Sequence, residues 1–205
     1  MRFLPYPLPM HRTSIVFVSL MLAGFMALPV AQVPRSWPVK DAPAEYRDAA
    51  ARAMIAFDAV QSTLMARLLE QMKAGGPTRA VVVCRDEAIP LTEKVAREQG
   101  GIALGRTSHL VRNPANAPRD WMKPFVEKAA GRKAVDIQPV VVDLGSRVGV
   151  LRPIGTNAAC TTCHGAQEKQ SEALQRLLAE QYPRDKAIGF AEGDLRGFFW
   201  AELSR

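Results

Sequence analysis

The sequence predicts one α+β domain, and three patterns carry that prediction. A helical apolar stripe runs through residues 42–73, a valine-rich β-hairpin occupies residues 137–154, and a last strand falls at residues 195–203. The 205-residue chain shows no internal repeat or low-complexity tract that would divide it further. With 48% hydrophobic and 23% charged residues, it has side chains for a core, and wholesale disorder is excluded. Lys and Arg exceed Asp and Glu by 27 to 20, yet the basic residues are scattered without a run of five. Charge therefore gives a solvated surface and no nucleic-acid partner.

Residues 1–31 read as an export signal or an amino-terminal membrane anchor. Arg2, His11 and Arg12 precede the apolar residues 14–31 without any acid, the order that secretion machinery recognises. Left uncleaved, residues 13–31 approach the ~17–25 apolar residues that span a bilayer. The proline-rich residues 32–41 are expected to be a linker and residues 42–205 a single domain. At the start of that domain, Tyr46, Ala50, Ala53, Phe57, Val60, Leu64 and Leu68 recur at three- and four-residue spacings along one helix face, and Gly75, Gly76 and Pro77 end the helix. Val81, Cys84, Ala88, Leu91 and Val95 form a second helical face. The three valines at 81–83 also suit a strand and Pro90 interrupts a continuous helix, but the spacing favours helix. After Gly100 and Gly101, residues 102–108 are extended and residues 112–118, with two prolines and two asparagines, form an irregular loop. A helix is expected over 119–130. Residues 137–144 and 148–154 flank the turn Gly145, Ser146 and Arg147. Residues 171–181 place Leu174, Leu177 and Leu178 on one helix side before Tyr182 and Pro183.

The chemistry sits in Cys160, Thr161, Thr162, Cys163 and His164, the C-x-x-C-H signature of covalent c-type haem attachment. Two thiols at this spacing can add to the two vinyl groups on one porphyrin edge, and the following histidine is placed to bind the iron. Gly165 lets the chain leave without a side-chain clash. The alternatives are a redox disulfide between Cys160 and Cys163 or half of a zinc site, and the sequence shows neither a thioredoxin-like context nor a paired ligand set nearby. One motif implies one haem c. Because such attachment takes place outside the cytoplasm in bacteria, motif and export signal point to the same compartment, the periplasm or the outer face of the inner membrane.

The opposite face of the iron needs its own ligand or an open position. All eight methionines precede Cys160, the last being Met122, which argues against the arrangement of small electron-carrying cytochromes while leaving an upstream methionine open. Cys84 is the only cysteine left after thioether formation. On packing alone it reads as a small buried hydrophobe, but a lone thiol in an oxidising compartment invites oxidation unless metal protects it. His109 competes from a mixed polar stretch where a solvent-facing side chain is expected.

These residues resemble a known family, the single-haem c-type domains with a PAS-like fold found in bacteria and cyanobacteria as periplasmic sensor modules and as stand-alone proteins. The likeness rests on residues 80–84 with Ala88; Gly105, Arg106, Thr107 and Ser108; residues 112–116 with Trp121; residues 160–165; and residues 182–190 with 193–197, in the family's order. It implies a PAS-like antiparallel sheet with flanking helices, and an iron held by His164 on one side and the Cys84 thiolate on the other. The departure is at His109, where the family more usually carries an aliphatic or basic residue, which leaves a role for His109 beside the iron open. Arg106, Arg112 and Arg196 lie in or beside these blocks, and each reads either as a grip on a haem propionate or as an ordinary ion pair. The expected function is redox or diatomic-ligand sensing, or single-electron transfer, through a redox or signalling partner protein. The alternative is a haem enzyme of peroxidase or nitrogen-oxide reductase type with an open iron site and His109 as its acid-base group. A helical-bundle cytochrome would fit the first helix but not the valine-rich hairpin.

Overall fold

A five-stranded antiparallel sheet organises the fold in the order β1 (Ser36–Pro38), β3 (Val140–Asp143), β4 (Arg147–Gly155), β5 (Leu195–Ser204) and β2 (Ala103–Thr107). The computed structural model describes Met1 and residues 33–205. The predicted signal or anchor over residues 1–31 lies, Met1 apart, outside the described residues. Among the described residues no helix is long and apolar enough to cross a membrane.

Side chains alternate across a strand, so β4 and β5 supply both faces of the sheet. Val148, Val150, Phe199, Ala201 and Leu203 face helix α1 (Ala44–Val82), where Tyr46, Ala50, Ala53, Phe57 and Val60 are all buried. This is the stripe that the three- and four-residue spacing marked. The Phe57 and Phe199 rings stack at 5.8 Å, and burying each is worth roughly 1.5–3 kcal/mol in transfer free energy. On the opposite face Leu151, Leu195 and Phe198 pack under Met122, Val126 and Ala129. The last two belong to α3 (Lys123–Ala129).

Three expectations are corrected. The expected linker 32–41 contains β1, whose Trp37 pairs in register with Val141 and stacks on Tyr46 at 5.1 Å, because its indole finds an apolar seat at the sheet edge. The helix expected over 119–130 begins its α-ladder only at Lys123, after a single 3₁₀ turn at Asp120–Met122. Pro124 has no N–H to give to the carbonyl of Asp120, which blocks an earlier start. Gly75 and Gly76 break α1 without ending it: Gly76 has φ 72°, a conformation open to glycine, and Pro77 then opens a new helical run. That run passes through a wide π-helical turn at Val83–Glu87 into α2 (Ala88–Glu98), which packs back on α1. Arg67 in the first arm grips Glu87 through two bonds, of 2.6 and 3.0 Å, and closes the hairpin.

Candidate functional site

Past Val60 the apolar stripe of α1 is only partly buried. Leu64 and Leu68 continue it, with Met65 and Met72 alongside, into the wall of a cavity of about 670 Å³. The sheet contributes Arg106, Ile154 and Phe199, and the short helix α4 (Ala158–His164) contributes the C-x-x-C-H residues. Cys84, Cys160, Cys163 and His164 all line this one cavity. All three cysteines are free thiols. Among the described residues no cluster of three or more His, Cys, Asp or Glu side chains is placed to hold a metal ion, so the zinc alternative lacks its ligand set.

Local chemistry explains α4. The Asn157 side chain accepts the Cys160 N–H at 3.0 Å and starts the helix. Gly165 ends it by donating to the Thr161 carbonyl at 2.8 Å. A Cβ on Gly165 would lie 2.5 Å from that same oxygen, so the clash anticipated from the sequence is real. Positions i, i+3 and i+4 share one side of a helix, which brings Cys160, Cys163 and His164 together toward the cavity.

His164 is held in one tautomer. Its Nδ1 lies 2.8 Å from the carbonyl of Ala187. A carbonyl can only accept, so Nδ1 carries the proton and Nε2 keeps its lone pair for a metal. Burial pushes the His164 pKa well below its ordinary value, and Arg196 and Arg112 push the same way, keeping the ring neutral. Burial likewise raises the Cys163 thiol.

Arg112, which the sequence left open between propionate grip and ion pair, makes the ion pair. It is buried, gives Nε to Asp185 at 2.8 Å, and gives Nη2 to the carbonyls of Cys163 at 2.6 Å and Ala187 at 3.2 Å. One guanidinium thus ties the 112 loop to the end of α4 and to the carbonyl that orients His164. The 182–190 segment also bonds directly to α4: Phe190 donates to the His164 carbonyl and Gly189 to that of Gly165, each at 2.9 Å. Val81 and Tyr182 then pack with Leu174 and Leu178 of α5 (Glu172–Gln181) around the half-buried Cys163. Burial raises the Tyr182 phenol to about 12, and its hydroxyl has no partner among the described residues.

Cys84 arrives by a different route. It sits in the π-helical turn, where the wider winding departs from the face that a regular α-helix would present. The sequence pattern put Cys84 on an apolar helical face but could not show this turn. His109 does not line the cavity. It is half-buried instead of solvent-facing, packs edge-on to Phe190 at 5.9 Å, and leaves Nδ1 buried without a partner among the described residues. Burial and then Arg196 lower its pKa. Sequence reasoning missed Met65, Met72 and Tyr182 as wall residues. The signal for Met72 was there, four residues past Leu68 on the same stripe.

Comparison with curated proteins gives no match. Among solved structures, the chain is similar to the crystal structure of the cyanobacterial haem protein Tll0287, at 22% identity and a TM-score of 0.55, over 80% of this chain and 98% of that one. At that identity the likeness speaks for the fold. The profile of the Tll0287-like family matches residues 40–204, nearly all of the described residues 33–205. The chain belongs to the Tll0287-like family.

Proposed function

We propose that this chain is an exported c-type protein with one covalently attached haem, acting in redox or diatomic-ligand sensing or in single-electron transfer through a partner protein. The observation that carries the reading is the convergence of Cys160, Cys163, His164 and the distant Cys84 on one cavity. Its volume of about 670 Å³ suits a cofactor, since ligand sites run from ~300 to ~1,000 Å³. The similarity to a haem protein of the same family and the antiparallel sheet with its flanking helices support both the haem and the PAS-like reading.

In this reading Cys160 and Cys163 tether the group, each S–H adding across one vinyl double bond. His164 presents Nε2 to the iron, while Ala187 and, through it, Arg112 keep the ring from turning. Cys84 supplies a thiolate from the other wall. Haem when bound supplies one-electron chemistry and a site for diatomic ligands. A thiolate would favour the ferric state and would be a weaker ligand once protonated, so Cys84 would make the bound group responsive to its redox state. His109, the acid-base group of the enzyme alternative, is not among the residues that line this cavity.

One experiment tests attachment and export together. The full chain, including residues 1–31, is expressed with a c-type maturation system and the cells are fractionated. The periplasmic or outer inner-membrane fraction is expected to hold a protein whose colour survives denaturation and acid extraction. Cys160→Ala with Cys163→Ala should abolish that retention. A chromophore that extracts freely from the unmutated chain overturns covalent attachment, and mature haem protein in the cytosol overturns export.

A further inference from the structure

Four arginines line the cavity and divide into two kinds. Arg112 meets Asp185 at 2.8 Å and Arg152 meets Asp58 at 2.5 Å, so each of these charges has a carboxylate beside it. Among the described residues Arg106 and Arg196 have no carboxylate partner. Arg196 gives one long bond, 3.3 Å, to the carbonyl of Leu110 and lays its guanidinium over Phe190. Arg106 is pulled below its ordinary range by burial, with only Cys84 and Tyr182 to oppose that. Arg196 is pushed down to about 10 by burial and then by repulsion from Arg112 and Arg106. Both side chains are partly buried, a guanidinium keeps its proton near neutral pH, and a partly buried charge without a bonded carboxylate is costly. The cavity wall therefore carries two positive charges to which no carboxylate among the described residues is bonded, with Asp185 only partly offsetting that of Arg196.

Resting on the reading that the cavity holds haem, we propose that Arg106 and Arg196 receive the two haem propionates, one guanidinium to each carboxylate. Two cations without protein partners match a group that brings two anions, and the planar fork of arginine accommodates a carboxylate through two parallel bonds. Arg106 belongs to β2 and Arg196 to the adjacent β5, so both approach from the sheet. Attachment through Cys160 and Cys163 takes the vinyl edge to α4, and the propionates occupy another edge of the ring.

Redox titration of the holoprotein from about pH 5 to about pH 8 tests this, with wild type compared against Arg106→Gln and Arg196→Gln. Near pH 8 an unpaired propionate anion should favour ferric iron by about tenfold in each variant, or 59 mV for one electron. Near pH 5 the difference should shrink toward zero, because a propionate without its arginine takes up a proton more readily and becomes neutral. Arg106→Lys and Arg196→Lys, which keep the charge, should stay near wild type. A difference that is constant across pH overturns the proposal, since it would mark a cation acting on the iron alone, and so does no difference in a variant that retains haem. Should the Gln variants not fold, infrared spectra of the wild type with ¹³C-labelled propionates decide: ionised carboxylates at about pH 5 support the pairing, and a protonated acid band overturns it. A wild type without haem instead defeats the haem reading itself.

Discussion

At the residue scale the question is which atom would serve as the second iron ligand if His164 holds a haem, as proposed. Cys84 is one of three candidate sulfur donors, because the thioethers of Met65 and Met72 line the same cavity. A thiolate donates more charge than a thioether, so it lowers the reduction potential and gives ferric iron a distinct charge-transfer spectrum. Cys84→Ser is expected to remove that spectrum, and Cys84→Met to raise the potential by at least about tenfold in the redox equilibrium, 59 mV. Met65→Leu, Met72→Leu and His109→Ala should leave both nearly unchanged. Loss of the ferric spectrum in a methionine variant, with Cys84→Ser unaffected, would transfer the ligand role. That Cys160, Cys163 and His164 share one cavity wall was legible because they are adjacent in sequence at i, i+3 and i+4. The methionines were not, because a methionine on a helical apolar stripe reads as core until the cavity it lines is seen.

At the element scale the block Gly105, Arg106, Thr107 and Ser108 shows why a strand can be read by composition yet not understood from it. Gly105 lies beside Trp200 in the ladder, and a Cβ there would come within 2.6 Å of the indole. Arg106 lines the cavity, Thr107 donates to the carbonyl of Asn116 at 2.9 Å, and Ser108 donates to that of Arg196 at 2.7 Å. The Arg119 guanidinium stacks 4.1 Å from the Trp200 ring centre and restricts its retreat. Gly105→Ala should therefore destabilise the domain by about 1–3 kcal/mol, as overpacking does. Chemical denaturation measures this, and Trp200→Leu in the same background should recover part of the loss. An unchanged midpoint would mean that the indole moves aside freely. The hairpin, the last strand and the first helix were legible because long periodic runs carry their own signal. Strand β1 was not, because three residues among prolines have no period, and its pairing with β3 depends on Trp37 finding Tyr46.

At the scale of the whole molecule, charge and burial together set the response to acid. Burial raises the Glu202 carboxyl, but hydrogen bonds from Trp121 Nε1 at 2.9 Å and Arg119 at 2.5 Å, with Arg147 nearby, hold it below its ordinary value on balance. A carboxyl lowered on folding adds stability above its unfolded pKa of about 4.3, and that stability is lost as pH falls toward the folded value. His109 is also lowered, by burial and by Arg196. Between its unfolded pKa, about 6.5, and its folded one, the unfolded chain binds the extra proton, so stability again falls with pH. Burial lowers His164 more strongly, so wherever unfolding frees its ring it adds to the same stage, beside His109. Thermal melting of the holoprotein should therefore decline in two stages, a first below about pH 6.5 and a second below about pH 4.3. His109→Leu should flatten part of the first stage and leave the second. Glu202→Gln should lower the melting temperature at neutral pH, because Arg119 and Arg147 lose their shared carboxylate, and flatten part of the second. A wild-type melting temperature constant from about pH 7 to about pH 5, or a first stage that persists unchanged in His109→Leu, would show that the ring takes up its proton as readily folded as unfolded.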